Sequence, residues 1–230
     1  MNAEIGATKE LTKVEINKSD INKKTYRIVK RIVDIIGALV GCIALIPLTL
    51  CIWLANIIAK DNGPVFYVQK RIGKNGKSFK MYKYRSMVVD ADRKLKRYLL
   101  DNPEANEEFM EFRKLKNDPR ITSVGSFIRK TSLDEFPQFI NVLKGDMSLV
   151  GPRPYMPRER RAMGKYYKEI IKVKPALTGP WQVNGRSEIS LEDRLQMDVE
   201  YIKNENFKND TKYLLKTVLK FIKRENKGAI

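Results

Sequence analysis

Residues 35–59 read Ile35-Ile36-Gly37-Ala38-Leu39-Val40-Gly41-Cys42-Ile43-Ala44-Leu45-Ile46-Pro47-Leu48-Thr49-Leu50-Cys51-Ile52-Trp53-Leu54-Ala55-Asn56-Ile57-Ile58-Ala59, 25 residues without a charge. A membrane-embedded helix needs about 20 predominantly apolar residues, so this run suffices. A soluble core helix apolar on every side would be unusual in a chain of 230 residues. The run starts too late and is too long for a secretory signal, and no small-residue cleavage site follows it. Pro47 stands at its centre, with 12 uncharged residues on either side. An interior proline removes a backbone hydrogen bond and crowds the preceding turn, which predicts a kink.

Both flanks of the run are basic: Lys23, Lys24, Arg27, Lys30 and Arg31 before it, Lys60, Lys70, Arg71, Lys74 and Lys77 after it. The positive-inside tendency puts both ends in the cytoplasm, which a kinked helix entering and leaving one leaflet satisfies. A straight crossing with a mild proline bend accounts for the length equally well.

Composition narrows the chemistry. Lysine and arginine number 45 against 27 acids, a formal charge of +18 that favours nucleic acid, anionic lipid or a phosphate-rich substrate. There is no histidine. Serine–histidine and cysteine–histidine nucleophiles are thereby excluded, as is the commonest zinc ligand. Cys42 and Cys51 lie inside the apolar run and read as buried thiols, with no disulfide framework.

Outward from the apolar segment, residues 1–25 are polar and read as a flexible extension. Val65–Val68 and Phe79–Tyr84 flank Gly73-Lys74-Asn75-Gly76-Lys77 and predict a β-hairpin, whose Lys83 is either solvated or turned to a phosphate. Residues 88–117 read as helix broken at Asp101-Asn102-Pro103, with a further helix from Asp134 to Leu143. In 211–224, Leu214, Leu215, Val218, Leu219 and Ile222 recur at helical spacing beside Lys212, Lys216, Lys220 and Lys223. Such a basic amphipathic helix packs on a core or lies in a membrane interface. The fold class expected is α+β: a helix-rich, membrane-associated domain with a small hairpin, a proline-kinked membrane helix over 26–60 and a catalytic domain over 61–230.

The densest chemical cluster is Arg129-Lys130-Thr131-Ser132-Leu133-Asp134-Glu135-Phe136-Pro137-Gln138. Ser132 and Glu135 have the spacing of a helix capping box, a purely structural reading. The chemical reading starts from the carboxylate's pKa near ~4, which leaves Asp134 ionised at neutral pH without a general base. An aspartate attacking phosphorus forms a reactive acyl phosphate. The meeting of two anions then requires a divalent cation and guanidinium groups, for which Glu135, Arg129 and Arg153 are candidates. Arg153 lies between Pro152 and Pro154, which either fix its loop or make an ordinary surface turn. A third cluster, 174–186, offers Trp181, Gln182, Asn184 and Arg186 for a base or sugar, although Trp181 also suits a core. Asp198, in a helix-like run, is a solvated acid or a second group of the metal or phosphate site.

Together, Lys30-Arg31 with Asp34, Gly63-Pro64-Val65-Phe66, Tyr82-Lys83-Tyr84-Arg85-Ser86-Met87, Ser132-Leu133-Asp134-Glu135, Gly145–Pro154 and Gln182–Arg186 resemble the bacterial sugar transferase family, the monotopic phosphoglycosyl transferases. The resemblance runs from Tyr26 to the C-terminus. It implies Asp134 as nucleophile, a magnesium site at Glu135 with Asp134, and Arg153, with Arg129, on phosphate. Arg186, Gln182, Asp198, Lys83 and Arg85 become candidates for holding the nucleotide sugar or supporting the site. It further implies transfer of a sugar 1-phosphate from a UDP-sugar to undecaprenyl phosphate, with UMP released, as the first membrane step of polysaccharide assembly. The donor hinted at is galactose or glucose. The expected location is the cytoplasmic face of the bacterial inner membrane, among anionic lipids; oligomeric state is left open. The re-entrant helix of such proteins breaks at a Ser-Pro pair, where this chain has Ile46-Pro47. The rival reading is a membrane-tethered basic binding or scaffold protein without catalysis; no nucleic-acid module is recognisable.

Overall fold

The computed structural model describes residues 2–112, 114–184 and 189–223, and side chains for residues 23–111, 114–184 and 189–223. Helix α1 (Asn2–Ile58) leads into an antiparallel hairpin, β1 (Phe66–Ile72) and β2 (Ser78–Tyr84). Helices α2 (Ala91–Asp101), α3 (Pro103–Phe112), α4 (Ser123–Lys130) and α5 (Gln138–Lys144) follow, then strand β3 (Ser148–Val150). Two short helices, α6 (Arg160–Met163) and α7 (Tyr167–Ile170), precede β4 (Ala176–Thr178), which pairs in parallel with β3. Helices α8 (Pro180–Asn184), α9 (Leu191–Lys203) and α10 (Phe207–Ile222) complete the domain.

Helix α1 is long and apolar enough to cross a membrane, with a mean hydropathy of 2.6 in its most apolar window. It packs on the domain through one stripe: Asp34, Ala38, Gly41, Leu45, Ile52 and Asn56 are buried. Those positions recur every three, four or seven residues, the signature of one helix face. The other faces stay bare, with Ile43 69% and Ile46 73% exposed. Gly37 and Gly41 let the helix approach closely, because a β-carbon at Gly41 would lie 2.3 Å from the Phe139 ring.

Polar groups fix the docking. Arg31 Nη1 and Nη2 donate to the carbonyls of Val142 and Leu143 (2.7 and 2.9 Å), satisfying orphan acceptors at the end of α5. Asp34 Oδ1 accepts from Ser148 Oγ (2.9 Å) and Leu149 N (2.8 Å). Lys30 Nζ pairs with Asp210 at 2.6 Å, and Tyr201 and Tyr26 donate to the same carboxylate. Helix α1 runs helically through Pro47. Two residues on, Thr49 Oγ1 donates to the Leu45 carbonyl (2.7 Å) and lies 2.6 Å from the Tyr84 hydroxyl.

Several boundaries differ from the sequence expectation. The polar residues 2–25 fall within α1, so extension and apolar run share one helix. The hairpin is longer than expected, and its turn uses left-handed conformations at Asn75 (φ 56°) and Gly76 (φ 75°), which this dipeptide tolerates. Helix α5 starts at Gln138, with Pro137 just before it. Helix α10 starts at Phe207, four residues early, because Asn206 Oδ1 caps Asn209 N at 2.9 Å. The β3–β4 pair was not anticipated; three residues per strand are too few for a period to show.

Replacing Asp34 with alanine leaves Ser148 Oγ and Leu149 N buried without their acceptor, at a cost of about 2 kcal/mol. The thermal midpoint of the detergent-solubilised protein should fall; an unchanged midpoint would remove Asp34 from the docking.

Candidate active site

The chain turns sharply after α4. Thr122 caps that helix through Gly125 N (2.9 Å), and Arg129 and Lys130 occupy its last turn, where cations suit the helix dipole. Ser132 adopts a left-handed conformation (φ 58°), and a single 3-10 turn, Leu133–Glu135, follows. The Ser132 side chain makes no capping bond, which removes the capping-box reading of this cluster. The acids meet β2 instead. Lys83 Nζ donates to Glu135 Oε1 at 3.0 Å and lies 3.7 Å from Asp134 Oδ2. Lys83 is therefore turned into the site, while Lys80 on the same strand is exposed.

Asp134 and Glu135 are not equivalent. The Asp134 side chain is 15% exposed and that of Glu135 47%. Burial pushes the Asp134 carboxyl up to about 6; Lys83 and Arg129 oppose the rise and Glu135 adds to it. At neutral pH Asp134 remains largely ionised and poorly hydrated, a state suited to nucleophilic attack.

Facing this pair is a wall of cations. Strand β3 delivers the chain to Pro152-Arg153-Pro154, and the loop is tied from two sides. Asp198 Oδ2 accepts from Arg153 N (3.2 Å) and Tyr155 Oη (2.9 Å), while Arg71 Nη1 donates to the Pro154 carbonyl (3.0 Å). Gly179 closes the base, since a β-carbon there would sit 2.1 Å from the Gly151 carbonyl oxygen. The guanidinium groups of Arg153 and Arg194 lie 5.1 and 5.2 Å from the Trp181 ring centre.

Repulsion shows that these cations share one region. Burial and the Arg153 charge hold Arg71 down to about 10. Burial, Arg194, Arg129 and Arg153 lower Lys114, and burial and Arg153 lower Arg194. Arg129 Nη1 and Arg71 Nε are buried without a hydrogen-bond partner among the described residues. A collection of clustered guanidinium groups with buried donors to spare, beside two carboxylates, is built for a polyanion carrying several phosphate oxygens.

The structure thus brings Asp134, Glu135, Lys83 and Arg129 together, and Arg71 and Lys114 stand between this group and Arg153. Asp198 acts on the site from behind: it is fully buried, burial pushes its carboxyl up to about 7, and it holds the backbone of the Arg153 loop. Arg85 is committed elsewhere, donating to the carbonyls of Pro64 (2.6 Å) and Met87 (2.8 Å) and to Asp61 Oδ1 (2.9 Å), which fastens the loop after α1. Gln182 lies in α8 beside buried Trp181, and Arg186 falls outside the described residues. Pro47 is on α1 next to Leu45 and Leu48, which pack with Tyr84, Leu133 and Phe136. Arg71, Lys114 and Arg194 were missed by sequence reasoning: each stands outside any motif, and only their convergence marks them. Among the described residues no three His, Cys, Asp or Glu side chains gather as a metal cage. Asp134 and Glu135 are the carboxylates that could hold a hard divalent ion here.

The structure thus sets a helix long and apolar enough to cross a membrane against a domain that carries a carboxylate pair and a group of arginines. Residues 25–224 match the family model described as bacterial sugar transferase, and the chain belongs to that family. It is 42% identical over 208 residues to the undecaprenyl-phosphate galactose phosphotransferase of Salmonella typhimurium, covering 90% of this chain and 43% of that relative. It is 39% identical over 206 residues to the UDP-glucose:undecaprenyl-phosphate glucose-1-phosphate transferase of Escherichia coli, covering 84% of this chain and 40% of the relative. The exopolysaccharide production protein ExoY of Sinorhizobium fredii is 40% identical over 189 residues, which cover 82% of this chain and 83% of ExoY. The chain thus spans less than half the length of the first relatives and most of the length of ExoY.

Lys83 stabilises the ionised form of Asp134. Substitution Lys83→Met should raise the Asp134 midpoint above its value near 6, measurable by carbon-13 NMR titration of labelled aspartate; a midpoint that does not rise would disconnect the two groups.

Proposed function

We propose that this protein transfers a sugar 1-phosphate from a UDP-sugar to undecaprenyl phosphate through a covalent adduct on Asp134. The observation that carries the reading is the buried Asp134 carboxylate, held beside Glu135 by Lys83 with the Arg129 charge close by. An Asp134 oxygen attacks the phosphorus that bears the sugar. The bond from that phosphorus to the bridging oxygen breaks, and its electrons leave with UMP. A phosphate oxygen of the lipid then attacks the same phosphorus, breaking the bond to Asp134 and restoring the carboxylate. Arg153 and Arg129 balance the negative charge that accumulates in both steps. Magnesium, held by Glu135 with Asp134, supplies further charge neutralisation when bound. The relatives' names supply the substrate classes, with galactose or glucose as the sugar.

The same proposal places the domain on one side of the membrane, the cytoplasmic face of the bacterial inner membrane. Helix α1 is fastened to one compact body at Arg31 and again at Thr49, 18 residues or about 27 Å apart. A helix crossing the hydrocarbon upright would drag charged parts of that body in with it. Lying in one leaflet, α1 can expose Val40, Ile43, Ile46 and Leu50 to lipid while its inner stripe stays on the domain. Anionic lipid suits the basic flanks.

Incubation with a panel of UDP-sugars and magnesium, without lipid, should release UMP in a burst equal to the enzyme concentration. Asp134→Asn should lose both the burst and the phosphosugar adduct seen by mass spectrometry; an adduct that persists moves the nucleophile elsewhere. Because the nucleophile must be ionised and its pKa is raised, the burst rate should fall as pH drops through about 6. Cysteines placed just before Lys30 and just after Lys60 should react with an impermeant thiol reagent from the same side of sealed vesicles. Labelling from opposite sides would refute the one-sided arrangement.

A further inference from the structure

The proposed reaction needs the lipid's phosphate at Asp134 while its chain stays in an apolar phase, and the ground beside Glu135 is suited to that. Phe136 follows Glu135 directly. Its ring meets Phe139 edge-on at 5.6 Å and Phe221 of α10 at 6.1 Å. On the far side, Phe139 packs against the backbone of α1 at Gly41, where a side chain would collide. The rings form a row from α1 across α5 to α10. Phe136 and Phe139 are half-buried and Phe221 is 45% exposed, so the row is a shelf open on one side rather than a sealed core.

Both margins of this shelf are apolar and outward-facing. Leu215, Val218, Leu219 and Ile222 recur at helical spacing on α10 and are exposed, as are Val40 and Ile43 on α1. The inner side of α10 is anchored independently, through Thr217 Oγ1 to Thr178 Oγ1 at 2.7 Å and through buried Asp210. The outer apolar face of α10 is thus not needed to hold the helix on the domain. Exposed apolar side chains grouped on one helix face mark a binding or membrane face, and Phe136, which touches Phe221 of that helix, follows the carboxylate pair directly.

We propose that Phe136, Phe139 and Phe221 form the binding shelf for the phosphate-proximal isoprene units of the polyprenyl phosphate acceptor. Methyl-branched alkenes lie well against aromatic faces, and the shelf's start at Glu135 sets the phosphate within reach of Asp134. The inference rests on the function proposed above, and the two half-reactions separate their failures.

The test uses the full chain in detergent with two acceptors, C55 undecaprenyl phosphate and C15 farnesyl phosphate. Phe221→Ala should leave the lipid-independent UMP burst at the wild-type rate and raise KM about tenfold for both acceptors, with kcat within twofold. Phe221→Leu should restore most of the affinity. If KM for the C15 acceptor is unchanged and only the C55 acceptor suffers, Phe221 meets distal isoprene units that the C15 acceptor lacks, and the shelf for the phosphate-proximal units is refuted. Should the alanine variant fail to fold, a photoreactive diazirine farnesyl phosphate bound to the wild-type protein decides. Crosslinks to the peptides bearing Phe136 or Phe221 support the shelf, and crosslinks confined to α1 overturn it. Absence of a UMP burst from the wild type would count against the function itself; a normal burst with unchanged acceptor KM would count against the shelf alone.

Discussion

A carboxylate on the buried stripe of α1, one residue before its uncharged run, constrains everything around it. Asp34 is 4% exposed, and a charge so placed is costly unless hydrogen-bonded. Its partners, Ser148 Oγ and Leu149 N, belong to β3, and β3 runs directly into Pro152-Arg153-Pro154. One turn earlier Arg31 satisfies the last carbonyls of α5, whose other end follows Asp134 and Glu135. Helix α1 therefore grips both halves of the site, the carboxylates through α5 and the arginine loop through β3. Gly37 and Gly41 permit this closeness, and the other faces of α1 stay exposed and apolar.

Electrostatics then divide the labour within the site. Lys83 sits against the two acids, while burial, with repulsion from neighbouring cations added to it, lowers the pKa values of Arg71, Lys114 and Arg194. Concentrated positive charge with unmatched buried donors suits an anion that carries several oxygens. Asp198 does not join this exchange directly. By accepting from Arg153 N and Tyr155 Oη it fixes where the guanidinium starts, which matters because a flexible arginine loses entropy on binding.

The large features were legible in the sequence because each has a local cause. The uncharged run announces α1, the Asn-Gly loop announces the hairpin, Asn102-Pro103 divides α2 from α3, and leucine spacing announces α10. The Asp134-Glu135 pair was singled out through family resemblance combined with the absence of histidine, and the fold sets both acids against Lys83. What remained hidden depends on contacts distant in sequence. Arg71 read as a flank of the apolar run, yet it is a strand residue bonded to a carbonyl 83 positions away. Arg85 read as a substrate candidate, yet its donors close the loop that follows α1. The Ser132–Glu135 spacing suggested capping, but a left-handed Ser132 redirects the acids to Lys83. Short β3 and β4 carry no period, so their pairing exists only as tertiary structure.

The bond between Thr49 and Tyr84 separates a structural job from the dipeptide that would be expected to hold it. No hydroxyl stands before Pro47, but Thr49 reaches back to the Leu45 carbonyl and Tyr84 joins it from a strand 35 residues downstream. Polar support for the proline region is thus written partly in the soluble half of the chain, on the residue next to Lys83. Loss of the Tyr84 hydroxyl would remove a polar partner from α1 two residues after Pro47 and, at the same time, disturb the strand that carries Lys83.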